Sequence, residues 1–321
     1  MSDIERRTFL ASLAATAVVP GLAAQPSALP IIDTHIHLFD PNRPQGAPYT
    51  GPKSSSPPVA ALPARYRALA GPLGAVGAVK VEASPWVEDN LWVLEVAERD
   101  PIIVAVVGNL EPEKREFAEY LDRYRKNPLF RGIRCGNLWG RDIVAQVESP
   151  AFIAGLRRLA DADLVMDTAN PRLSLLQAIV RATDRVPRLR VVLDHLPALP
   201  MPETAAARAA LDSALRELAA RPQVFVKLSA IIHDVKGHIA TDVGSYKAWL
   251  DRLIDVFGED RVLFGSDWPN SDGVAPVDEV FAMAKAYFAG RTETARAKYF
   301  WKNSVAAYKW IHRDPSQPGV F

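Results

Sequence analysis

The chain is expected to fold as one α/β domain, a (β/α)8 barrel of the TIM type with extra helices at its C-terminal end. Three observations predict this. Eight short apolar runs, rich in Val and Ile, recur along the sequence. Longer charged stretches of helical pattern separate them. Alternation of this kind makes a parallel sheet covered by helices, and eight units in about 290 residues match a barrel in size. An open doubly wound sheet usually has a Gly-rich turn after its first strand. Here the first strand runs instead into His35-Ile36-His37.

The strands, in order, are Ile31–His37, Ala75–Val81, Ile102–Val107, Phe130–Arg134, Leu164–Asp167, Leu189–Asp194, Val224–Leu228 and Val262–Gly265. The helices between them are Glu88–Arg99, Pro112–Lys126, Pro150–Ala160, Pro171–Thr183, Glu203–Ala220 and Ser245–Phe257. Several open with Pro, whose missing N–H costs nothing in a first turn. Pro276–Ala289 and Glu293–Trp310 form the helical tail, and the Pro-, Gly- and Ser-rich residues 40–63 form a long loop. Loops of that length in compact domains tend to be functional.

Composition narrows the function classes. Among 321 residues, 38 Lys+Arg stand against 37 Asp+Glu, a net charge of +1. Such a balance gives no electrostatic case for a nucleic-acid partner or an acidic membrane surface. A single cysteine, Cys135, excludes an internal disulfide framework and a Cys-rich zinc site. Residues 1–24 read as an address: Arg6-Arg7 is followed by an uncharged stretch from Phe9 to Ala24 that is too short for a comfortable membrane span. That pattern resembles a twin-arginine export signal, so the expectation is an exported, periplasmic protein with no stable membrane insertion after processing. The barrel domain then spans residues 25–321. Barrels often self-associate, so a homo-oligomer is admitted.

The chemistry-bearing residues fall at predicted strand ends. His35 and His37 alternate on one strand, which points both to one face, and two imidazoles there can share a metal ion or a substrate oxygen. Asp267 follows Val262-Leu263-Phe264-Gly265-Ser266. A carboxylate at that place can ligate a metal or act as general base towards water, the alternative being a loop Asp that bonds its own backbone. His195 lies just past the sixth strand, beside Asp194. Agreement among these positions is the signal, because the C-terminal mouth of a barrel is where chemistry is done.

Arg134, at the end of the fourth strand, is the candidate grip for a substrate carboxylate or carbonyl oxygen; its alternative is a buried ion pair with Asp167 or Glu82. Glu82, Asp167 and Trp268 join it as substrate-binding candidates. Asn109, Asn170, Lys227 and Ser229 are other strand-end polar groups. Trp86 and Trp139 are candidate pocket walls, Cys135 reads as packing, and His233, His238 and His312 read as surface groups.

Ile-Asp-Thr-His-Ile-His, Leu-Asp-His-Leu, Val-Lys-Leu-Ser and Leu-Phe-Gly-Ser-Asp-Trp-Pro occur in that order. Together they resemble the amidohydrolase superfamily, and within it the amidohydrolase-related branch of pyrone-dicarboxylate and fuconolactone-type lactonases. The resemblance covers roughly residues 30–311. It implies His35 and His37 as the first-strand pair, His195 as the sixth-strand histidine and Asp267 as the eighth-strand aspartate. There are three departures. The fifth strand reads Leu-Val-Met-Asp167 where metal-dependent members commonly have a histidine. The fourth ends in Arg134-Cys135 where binuclear members use a lysine. Pro-Ala-Leu-Pro follows Asp-His-Leu where relatives often have Gly-Lys-Pro. These argue against a binuclear site and leave two options: no metal, or one divalent ion (zinc or manganese) on His35, His37, His195 and Asp267, with Asp167 as a substitute ligand.

The activity the resemblance implies is hydrolysis of a small-molecule lactone, with Asp267 activating water and His195 assisting. Two alternatives stand: a metal-dependent decarboxylase on the same fold, and an exported binding protein without catalysis.

Overall fold

A computed structural model describes residues 29–52, 58–235 and 237–319. The export segment expected at residues 1–24 lies outside them. Eight parallel strands form one sheet in the order β1 (Ile31–Ile36), β2 (Ala75–Val81), β3 (Ile103–Gly108), β4 (Phe130–Arg134), β5 (Val165–Asp167), β6 (Arg190–Leu193), β7 (Val224–Lys227) and β10 (Val262–Leu263). Backbone bonds from Thr34 N to Phe264 O (3.0 Å), Asp267 N to His35 O (2.8 Å) and His37 N to Trp268 O (2.8 Å) bring the last strand back to the first. The sheet is thereby a nearly closed TIM-type barrel. A small antiparallel hairpin, β8 (Asp234–Val235) with β9 (His238–Ile239), rises from the loop after β7.

The helices fall in the predicted gaps as α2 (Asp89–Arg99), α3 (Phe117–Tyr124), α5 (Pro150–Asp161), α6 (Leu173–Arg185), α7 (Ala205–Ala219), α8 (Gly244–Phe257) and α9 (Val277–Phe288). Helix α3 is shorter than its sequence pattern: the Pro112 carbonyl lies against Gly155 of α5, where an added Cβ would meet it at 2.2 Å. Two short helices carry no periodic signal, α1 (Pro63–Ala70) and α4 (Ile143–Gln146). The predicted last helix is divided into α10 (Glu293–Ala297), a π-helical turn over Lys298–Lys302 and α11 (Asn303–Tyr308).

Two cores hold this frame. The larger lies between strands and helices. The smaller fills the barrel with Ile32, Val79, Val104, Val107, Val165, Val192, Phe225 and Leu263, and Tyr308 and Trp310 of the tail close it from one end. Ile32 belongs to this interior, so strict alternation would turn His35 and His37 outward. A bulge prevents that. Asp33 pairs with Ala78 while Ile36 pairs with Lys80, so β1 carries one extra residue there. Bulges re-aim the side chains beyond them, and this one gives both histidines to the interior.

Candidate active site

The site assembles around Asp267. Its Oδ1 lies 3.2 Å from His37 Nε2, 3.5 Å from His35 Nε2 and 3.8 Å from His195 Nε2. His35 and His37 face each other through their Nε2 atoms at 3.2 Å. Asp267 and His195 both sit in the left-handed region, at φ 62° and 55°. Such strain in non-glycine residues persists only where surrounding contacts over-determine it, and it clusters at functional sites. The contacts are visible here: Asp267 N bonds His35 O, Ser271 N bonds Asp267 O at 3.0 Å, and His195 Nδ1 meets Ser229 Oγ at 2.8 Å. Gly265 lets the strands approach this closely, because a Cβ there would stand 2.9 Å from His35 Cβ. Behind the cluster, Asp33 accepts from the His35 and Ser266 amides at 3.1 and 2.9 Å and from Tyr66 Oη at 2.8 Å.

Electrostatics set the protonation. Burial alone would raise the Asp267 carboxyl, but His195, His37 and Arg134 outweigh it and hold the group below 3.8, hence ionised. Burial, reinforced by Lys227, keeps His35 well below 6.5, and burial also lowers His195 against the pull of Asp267 and Asp194. Both rings are neutral at pH 7 and each offers a lone pair.

A divalent ion fits this donor set. His35, His195 and Asp267 bring one ligand atom each within 4.8 Å of one another. Ligands about 2.0–2.2 Å from zinc in a tetrahedron stand about 3.3–3.6 Å apart, and the 3.2–3.8 Å separations around Asp267 Oδ1 bracket that range. A second observation agrees. Asp194 lies behind His35, its Oδ2 3.5 Å from His35 Nδ1 and its Oδ1 2.9 Å from Lys227 Nζ. A metal-bound histidine donates its other ring N–H to a carboxylate, a carbonyl or water, and Asp194 stands at that place.

The remaining candidates divide. Arg134 reaches the mouth but pairs with neither Asp167 nor Glu82. Its Nε donates to Thr168 O at 3.0 Å and stands 3.3 Å from Asp194 Oδ2. Its two terminal nitrogens have no protein hydrogen-bond partner among the described residues. Glu82 is buried under Trp139, whose Nε1 donates to both carboxylate oxygens at 3.2–3.3 Å. Asp167 is tied down deep in the barrel, where Lys227 Nζ (2.6 Å) and Tyr308 Oη (2.9 Å) both bond its Oδ2, and its Oδ1 is left without a partner among the described residues. Trp268 is wholly buried, packed on Tyr66 and Arg65, so it backs the site and does not line it. Cys135 is packed as expected, and burial pushes its thiol up to about 12.

Sequence reasoning missed Tyr49 and Arg141, and it named Lys227 and Asp194 without their pairing to each other and to His35. Lys227 was discoverable by parity, two residues from the interior Phe225. Tyr49, from the long loop after β1, stacks edge-on to His37 and Trp139 with ring centroids 6.3 and 6.4 Å apart, and its hydroxyl bonds Asn270. Arg141 bonds Asn109 Oδ1 at 3.0 Å and leaves Nη2 without a hydrogen-bond partner. Nothing local in the sequence marks either residue. Trp86 and Trp139 are the exposed aromatics of the mouth. The loops after β6 and β7 wall a cavity of about 810 Å³ whose lining includes Leu199, Met201, His233, His238 and Trp249.

A buried carboxylate ringed by three imidazoles at the C-terminal end of a parallel barrel is a donor set that fits one divalent ion, at the place where barrel enzymes do their chemistry. The amidohydrolase family model matches residues 32–310, and the chain belongs to that family and is a hydrolase. An L-fucono-1,5-lactonase of Burkholderia multivorans is 32% identical over 243 residues, 72% of this chain and 80% of the relative. One from Burkholderia ambifaria is 32% identical over 196 residues, 60% of this chain and 64% of the relative. A Burkholderia multivorans amidohydrolase solved with bound zinc is 28% identical, with a TM-score of 0.77, covering 88% of this chain and all of that one.

Proposed function

We propose that the protein opens a lactone, or a similar cyclic ester, by Asp267-assisted attack of water. The observation that carries this is the ionised Asp267 carboxylate among three imidazole nitrogens. Asp267 takes a proton from water as the water oxygen bonds the carbonyl carbon. The tetrahedral centre collapses, the ring C–O bond breaks, and the departing oxygen takes the proton back from Asp267. One hydroxy acid leaves, and it releases one proton at neutral pH. His35, His37, His195 and Asp267 would hold a divalent ion, which when bound polarises the carbonyl and acidifies water. The free fork of Arg134 grips a carbonyl oxygen or an anionic substituent of the substrate. Lactonase relatives at 32% identity support the reaction class.

The test is a panel of sugar and dicarboxylate lactones followed by proton release with a pH indicator. Wild type is expected to open at least one, and Asp267→Asn to lose that activity with the fold intact. Near-normal turnover by the variant would sink the mechanism. Carbon dioxide release in place of ring opening would favour a decarboxylase. From sequence alone we further propose twin-arginine export through Arg6-Arg7, checked by fractionating cells that express the Arg6→Lys, Arg7→Lys double variant. Export undiminished in that variant would refute it.

A further inference from the structure

Lys227 is wholly buried on β7. Its Nζ lies 2.6 Å from Asp167 Oδ2, 2.9 Å from Asp194 Oδ1 and 3.1 Å from His35 Nδ1. An ammonium has three protons to donate and no lone pair. His35 Nδ1 therefore accepts from Lys227, and the ring carries its own proton on Nε2. The neighbour is arranged to match. His37 Nδ1 lies 3.0 Å from the Val81 carbonyl oxygen, which only accepts, so His37 donates there; its Nε2 stands 3.2 Å from both His35 Nε2 and Asp267 Oδ1, and in the neutral ring that nitrogen accepts from His35. The bonds run one way, from Lys227 to His35 to His37 to Val81. In that arrangement His35 has no lone pair for an ion.

Asp194 offers the other arrangement. Its Oδ2 is 3.5 Å from the same His35 Nδ1, just beyond hydrogen-bond length, while its Oδ1 is ion-paired with Lys227 at 2.9 Å. A movement of well under about 1 Å would let His35 Nδ1–H donate to Asp194, which places the lone pair on Nε2. We propose that Lys227 is a positioning residue that sets how tightly the site holds a divalent metal, by competing with Asp194 for Nδ1 of His35. This rests on the reading that His35, His195 and Asp267 hold the ion. Lys227 is itself fixed from the C-terminal tail, because Tyr308 Oη bonds the same Asp167 oxygen at 2.9 Å.

The experiment measures zinc affinity of the full chain by competition with a chromophoric chelator, in wild type, Lys227→Met and Asp194→Asn. Histidine ¹⁵N shifts of metal-free wild type give the His35 tautomer. Lys227→Met is expected to bind zinc at least ~10-fold tighter and Asp194→Asn at least ~10-fold weaker, the size usual for partners of metal ligands. The spectrum should show His35 protonated on Nε2 and switched to Nδ1 by zinc. A folded Lys227→Met that binds zinc no more tightly than wild type overturns the proposal, and so does an Nδ1 proton on His35 in metal-free wild type. If Lys227→Met does not fold, the wild-type tautomer decides alone. Either overturning result leaves lactone opening by wild type untouched, so the proposal and the hydrolase reading fail separately.

Discussion

The two ends of the barrel treat polar groups in opposite ways. At the floor, the chain after α11 closes every bond it brings. Ile311 N donates to Val104 O, and Arg313 Nη1 donates to the carbonyls of Ala97, Asp100 and Ile103 at 2.6–3.1 Å. Gln317 Nε2 bonds Val76 O and Pro101 O, and the buried Trp310 donates to Ser304 Oγ at 2.8 Å. At the mouth, charges face one another with bonds left open: Arg141 Nη2 and the terminal nitrogens of Arg134 have no hydrogen-bond partner among the described residues, and Asp194 is held only by ion pairs with Lys227 (2.9 Å) and Arg134 (3.3 Å). An unmet buried polar group costs about 1–3 kcal/mol. The floor is therefore built for stability, while the mouth holds unmet bonds that a ligand would complete. Strain leans the same way: of the seven left-handed non-glycine residues described, Trp139, Asn170, His195, Ala230 and Asp267 lie in loops that leave the C-terminal ends of strands, and only Asp163 and Lys309 lie at the floor.

Substitutions at the two ends should fall into different columns. The largest effect belongs to Asp267→Asn, which should cut turnover by about 10²–10⁴-fold, the range for a positioned general base. Its melting temperature should match wild type or exceed it, and a large loss of stability would mean that Asp267 is a structural group. Trp310→Ala should do the reverse. Removing a buried Trp costs about 3–5 kcal/mol, read as a lower denaturant midpoint, with kcat nearly kept. A kcat that fell with it would break the division between the ends. Arg134→Lys keeps the charge and loses the fork. Bonds to charged groups are worth about 1.5–3 kcal/mol, so its KM should rise about 10-fold or more while the denaturant midpoint moves little.

The smallest effect is the pH profile. His35 and His195 are held below 6.5 and Asp267 below 3.8, so at pH 7 the rings are neutral and the carboxylate charged. Falling pH protonates the rings only beneath their ordinary range. The profile of kcat/KM should stay flat from pH 8 to 6.5 and decline on the acid side of that. An inflection between 6.5 and 8 would show that burial does not dominate these rings.

The sequence by itself determined the barrel, because continuous apolar runs rich in Val and Ile and charged helical stretches are local patterns. It also located His35, His37, His195 and Asp267, since each sits where an apolar run stops. Tertiary structure decided the rest. Whether the two histidines face inward depends on a bulge between Asp33 and Ile36, which register with β2 creates and no local pattern announces. Whether Asp167 is a ligand depends on Lys227, 60 residues away, and Tyr308, 141 residues away, both of which take its Oδ2. Trp268 reads as a pocket wall beside Asp267 in sequence, yet packing on Tyr66 turns it into the core. The physical reason is common to all three. A residue's type and spacing fix what it is able to bond, but the partner that takes the bond comes from distant strands brought side by side.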